Sequence, residues 1–155
     1  MAGTRPTLAS TTVLVDTNVL LSASQASRPH HLEALRVLND WPNQAKRLCT
    51  CGQILREYLV VATRPQENNG LGLALDDALL NVAAIRQRML LLEENAGAVA
   101  LLHELLQEVR CHGKQIHDVN LVALALYHRV GSIVTANVAD FLRFKDHITV
   151  LKLGN

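Results

Sequence analysis

The sequence predicts an α/β fold, a mostly parallel β-sheet covered by helices on both faces. Two observations carry this. Strand-like runs at 12–15, 46–51, 132–137 and 147–153 alternate with segments of helical spacing, which is the pattern of βα units. One helical segment, "HDVNLVALALYHRV" at 117–130, is apolar almost all round, which puts it in the interior and near the middle of the molecule. With 155 residues, 49% hydrophobic and 19% charged, the chain is long and apolar enough for one domain with a real core.

Taken in order, 12–15 reads as a buried strand, and 16 to about 23 as a short helical turn leading away from it. Residues 28–41 place Leu32, Leu35 and Leu38 at helical spacing, with Pro29 near the first turn and Pro42 past the end. A strand at 46–51 leads into a helix at 53–63, which Arg64-Pro65 stops. "QENNGLG" is a loop by its Asn and Gly content. Asp76 and Asp77 favour a helix start, and the periodicity runs on to about Leu91. A second amphipathic helix spans 96–113, with Gly113 past its end. After the apolar helix come a strand, the short helix "VADFLRF" and a final strand. No internal repeat or low-complexity stretch interrupts the order.

Composition excludes several function classes. A net charge of +1 gives no global field for nucleic acid or membrane, so any polyanion site is local. Only 3% of residues are aromatic, too few for a base-stacking platform, so a nucleic acid would be held through its phosphates. Three cysteines without regular spacing read as reduced thiols in a cytoplasmic protein. The opening "MAGTRPTLAS" and the short run after it form neither a signal peptide nor a membrane span, which needs roughly 20 apolar residues.

Four carboxylates stand out. Asp16 follows the first strand, where it fits either a helix N-cap or the rim of a site at the carboxyl end of a parallel sheet. Glu57 lies on the rim of its helix's apolar face, and its neighbours Gln53, Ile54, Val60 and Val61 offer no cation. Asp118 opens the most apolar helix, as a cap or as a charge held near the sheet. Asp140 lies just past the "SIVT" strand, in a short helix. Should these ends converge, four carboxyl groups meet and need a counter-charge. Hard oxygen donors without a matching His or Cys set select Mg²⁺ or Mn²⁺, ions that serve phosphoester hydrolysis.

The segments "LVDTNVL", "ILREYLVVATRP", "GKQIHDVNLVALAL" and "IVTANVADF", in this order and spacing, resemble those of PIN-domain proteins, and within them the bacterial ribonuclease toxins of the VapC type. The likeness runs from about Val13 to Leu151. It implies a single domain over 1–155 with its core at about 12–152, a three-layer α/β/α fold and a five-stranded parallel sheet. It implies a metal-dependent endoribonuclease with Mg²⁺ or Mn²⁺ held by Asp16, Glu57, Asp118 and Asp140, releasing 5′-phosphate and 3′-hydroxyl ends. Asn137 stands where other members carry an acid, which leaves Asp140 as the fourth carboxylate and a second metal open. Asn18, Thr135 and Asn137 match supporting polar positions. The likeness further implies a homodimer and a small antitoxin wrapping the helices around 32–38 and 55–58. A housekeeping PIN nuclease in RNA processing and a catalytically inactive PIN-fold binding module are the alternatives.

Other candidates are weaker. Arg64 and Lys114 follow directly on site segments and are the preferred RNA-backbone contacts; Arg56, Arg143 and Lys145 read as surface charge. Cys49 and Cys51 share one strand face but lack further ligands at zinc spacing, with Cys111 far away. His103, His112 and His117 are scattered, and His30-His31 reads as surface.

Overall fold

The structure, a computed structural model, describes residues 11–154. The reading of the opening ten residues lies outside the described residues. Five parallel strands form one sheet: β1 (Thr12–Val15), β2 (Arg47–Cys51), β3 (Leu90–Leu92), β4 (Ser132–Thr135) and β5 (Thr149–Lys152), in the order β3-β2-β1-β4-β5. β1 is central. Leu14 pairs with Cys49 on one side and with Ile133 on the other. Val13, Leu14 and Val15 are all buried, as expected of a strand covered on both faces, where no alternation of polar residues is required.

The helices are α1 (Thr17–Ser24), α2 (His31–Asn39), α3 (Gly52–Thr63), α4 (Leu75–Arg88), α5 (Ala96–Glu108), α6 (Gln115–Tyr127) and the one-turn α7 (Val138–Phe141). α1 packs on α2 and α3, and α3 on α4; separately, α5 packs on α6 and α6 touches α7. The run from Val119 to Ala125 is buried without interruption, which is why its sequence shows almost no polar face. Among the described residues no helix is long and apolar enough to cross a membrane.

Some boundaries differ from the sequence reading. The apolar run after α4 is not its last turn: Met89 turns extended at φ −126° and ψ 146°, and Leu90–Leu92 pairs with Cys49–Cys51 as edge strand β3. Three leucines suit a helix or a strand equally, and only the long-range pairing decides. α5 ends at Glu108, well before Gly113, whose φ of +62° instead serves the turn into α6. α2 starts at His31, so Pro29 precedes it.

The strand order fixes where a ligand can sit. From β1 the chain passes to β2 and β3 on one side, then returns to add β4 and β5 on the other. The carboxyl ends of β1 and β4 therefore lie side by side at the switch point, where connections diverge and leave a crevice.

Candidate active site

Asp16 is the first residue past β1, and it caps α1. Its backbone is extended (φ −67°, ψ 155°), and Oδ1 accepts the Thr17 N–H at 2.8 Å. The cap engages only that oxygen. Oδ2 accepts the Thr135 hydroxyl at 2.8 Å and Asn18 Nδ2 at 3.1 Å. The fully buried Thr135 hydroxyl also accepts from Asn18 Nδ2 at 3.1 Å and from the Asn137 N–H at 3.0 Å. Asn18 Oδ1 takes the Ala136 N–H at 2.9 Å. The turn after β1 is thereby stitched to the turn after β4, with Asp16 between them. Burial raises the Asp16 pKa; hydrogen bonds from Thr135 and Thr17 oppose it, the Glu57 charge adds to it, and Asn18 opposes it.

Glu57, on α3, is partly buried and held from two sides. Its Oε2 accepts the Thr17 hydroxyl at 2.9 Å, and its Oε1 accepts Gln53 Nε2 at 2.9 Å. Thr17 thus serves two acids, through its N–H and its hydroxyl. Gln53 also donates to the His117 carbonyl at 3.1 Å and accepts from Asn120 Nδ2 at 2.7 Å. In the sequence alone Gln53 is only an uncharged neighbour of Glu57, and nothing in the charge pattern marks Asn120. The available signal was a buried-type amide in each of two apolar helix faces, since such groups require partners.

Asp118 lies in the first turn of α6, with Lys114 at the cap position, so it is not the N-cap. A helix N-terminus still favours its charge. Its pKa is pushed up to about 6, first by burial, then by the charges of Asp140, Asp16 and Glu57, with His117 acting oppositely. All three other carboxylates thus act on this one group. Asp140 and Asn137 are exposed, on and just before α7.

Among the described residues the one ion pair is His147 with Glu108, so no lysine or arginine neutralises the four acids. No three His, Cys, Asp or Glu side chains there form a ready ligand cage. Charge repulsion acts over a longer range than a coordinate bond, so the two observations describe one loose acidic cluster. Its acceptor-only oxygens, with charge uncompensated, fit a hard divalent cation better than zinc or copper. Cys49 and Cys51 belong to the core; burial lifts both thiols to about 11, which keeps them protonated and unlike zinc ligands.

Beside the cluster a cleft of about 520 Å³ opens, lined among others by Arg56, Glu57, Val60, Arg64 and Ile116. Of the four acids only Glu57 lines it. Arg64 lies in this cleft, whereas Lys114 is exposed and is not among its lining. Arg64 is set by the loop after α3: a Cβ on Gly70 would stand 2.0 Å from the Arg64 carbonyl oxygen, so only glycine allows this approach. The helices read for a partner offer both exposed and buried side chains. Leu32 is 62% exposed, but Tyr58 is fully buried, with its hydroxyl bonded to Ser24 and Asn81, and Leu55 belongs to the core.

Residues 12–139 match the PIN domain, and the chain belongs to that family. Its fold is that of the VapC-type toxins. VapBC2 from Rickettsia felis, solved bound to a DNA fragment from its promoter, is 13% identical with a TM-score of 0.65, over 92% of this chain and 99% of that one. VapBC-1 from nontypeable Haemophilus influenzae is 20% identical with a TM-score of 0.63, over 92% and 98%. VapC20 of Mycobacterium tuberculosis, described as a sarcin-ricin-loop-cleaving toxin, is 18% identical with a TM-score of 0.56, over 78% and 86%. Comparison with curated proteins finds no match.

Proposed function

We propose that this chain is a divalent-metal-dependent endoribonuclease and the toxin of a toxin–antitoxin pair. One observation carries the reading: burial first, and then the charges of Asp140, Asp16 and Glu57, raise the pKa of Asp118, and no lysine or arginine among the described residues pairs with any of the four acids. A divalent cation is the group that relieves such crowding. Asp16, Asp118, Asp140 and Glu57 would hold it, and Mg²⁺ or Mn²⁺ matches the oxygen donors.

When bound, the ion supplies Lewis-acid charge that polarises a phosphodiester and acidifies the attacking water. The protein's own groups do the rest. Thr135, Asn18 and the Thr17 N–H fix the Asp16 carboxylate, while Thr17 and Gln53 fix Glu57. With these carboxylates held, their reorganisation cost falls before the substrate arrives. Arg64 in the adjoining cleft, with Lys114 farther out, holds RNA phosphates on either side of the scissile bond. Hydrolysis then leaves a 5′-phosphate and a 3′-hydroxyl.

A solved toxin–antitoxin complex from Klebsiella pneumoniae shares this fold, which supports an antitoxin partner here. Purified protein with Mn²⁺ and structured RNA tests the enzymatic reading. Wild type cleaves, and Asp118→Asn reduces cleavage by 100-fold or more, on the order of 3 kcal/mol in the barrier. Equal and negligible cleavage by both proteins, with partner binding intact, sinks the proposal.

A further inference from the structure

Resting on the nuclease reading, we infer that Gln53 and Asn120 form a positioning pair that fixes the Glu57 carboxylate in the acidic site. The two amides sit on different helices, α3 and α6, and are 6% and 9% exposed. Asn120 Nδ2 donates to Gln53 Oε1 at 2.7 Å. Glu57 Oε1 and the His117 carbonyl can only accept, and so they settle which way the Gln53 amide faces. Its NH₂ group is left to donate to Glu57 Oε1 at 2.9 Å and to the His117 carbonyl at 3.1 Å. Both N–H groups and the oxygen of Gln53 are therefore used, and no rotation preserves the set.

Joining α3 to α6 at this point does not require this chemistry. Apolar side chains of the same volume would fill the space, and replacing both members of a buried polar pair together is nearly neutral for stability. What an apolar pair cannot supply is a donor aimed at Glu57. The Thr17 hydroxyl holds the opposite oxygen, Oε2, at 2.9 Å, so Glu57 is pinned at both oxygens from two elements. With Gln53 removed, one anchor remains and the carboxylate can swing about its terminal torsion, which is broad for glutamate. His117 belongs to the same arrangement through its carbonyl only. Gln53 and Asn120 thus act on the site through Glu57.

The test uses Mn²⁺ alone as the probe, with its affinity read by water-proton relaxation and the fold by thermal unfolding in chelator. The double variant Gln53→Met/Asn120→Leu keeps side-chain volume and removes the donor. It is expected to unfold within a few degrees of wild type while binding Mn²⁺ about tenfold more weakly, the low end for groups that orient metal ligands. If that protein fails to fold, Gln53→Met alone serves. It removes the donor to Glu57, adds no charge and leaves Asn120 in place, with the same expected loss. Unchanged Mn²⁺ affinity in the folded variant, with Glu57→Gln weakening binding, overturns the positioning role and leaves the nuclease reading standing. A wild-type protein that binds no Mn²⁺ overturns both.

Discussion

Replacing Asp118 with asparagine should make the metal-free protein more stable while destroying its activity. The ordinary carboxyl value of 3.8 rises to about 6 at this position, through burial and then the charges of Asp140, Asp16 and Glu57. A rise of about 2 in pKa corresponds to about 3 kcal/mol between the ionised and neutral forms. Asp118 keeps substantial contact with water, which screens part of the repulsion, so about 1–2 kcal/mol is the realistic penalty. The sign follows from linkage. Below about pH 4 the folded and unfolded chains both hold the proton and the penalty vanishes. Between about pH 4 and 6 only the folded chain holds it, so wild type loses stability as pH rises, and above about pH 6 the penalty is complete. Urea or thermal unfolding in EDTA at pH 4.5 and pH 8 measures this. Asp118→Asn should exceed wild type at pH 8 by about 1–2 kcal/mol, or about 2–8 °C in Tm, and the gap should shrink at pH 4.5. Added Mn²⁺ should raise the wild-type Tm and leave the variant's in place. A variant no more stable than wild type at pH 8, or a gap that widens on acidification, refutes the electrostatic argument.

Other perturbations report on separate parts of the account. Thr135→Val removes a fully buried hydroxyl that serves Asp16, Asn18 and Asn137; it should cost about 1–3 kcal/mol in urea unfolding and lower RNA cleavage. A loss confined to cleavage, with stability unchanged, would contradict the buried-hub description. Gly70→Ala drives a methyl into the Arg64 backbone and should cost at least about 2 kcal/mol, read as a drop in denaturation midpoint. Arg64→Ala should weaken RNA binding and reduce the salt slope of log Kd by about 1. Lys114→Ala, outside the cleft, should do less. Equal effects of the two would argue against the cleft as the RNA path.

The alternation of apolar strands with helices made the fold class legible, because a parallel sheet covered on both faces writes itself as runs such as Val13-Leu14-Val15. The fifth strand was not legible from the residues. Leu90–Leu92 continues the helical spacing before it, and only its pairing with β2, some 40 residues away, makes it a strand. That order also explains why the ends of β1 and β4 meet. Asp16 was ambiguous in sequence between cap and site because one oxygen caps α1 while the other faces Thr135 and Asn18. Glu57 stands out by its lack of a nearby cation, but its partners Thr17 and Gln53 are uncharged. A hydroxyl 40 residues away and an amide one turn back leave no mark in charge pattern. Asn120 escaped for the same reason, since its meaning depends on α6 facing α3.

If the four-carboxylate cluster cleaves RNA, the cuts will be visible in RNA ends mapped after induction of the protein in cells. Wild type should generate new 5′-phosphate ends at one or a few defined positions, and Asp16→Asn, produced at the same level, should generate none. No new ends with wild type, or the same ends with Asp16→Asn, would contradict the account.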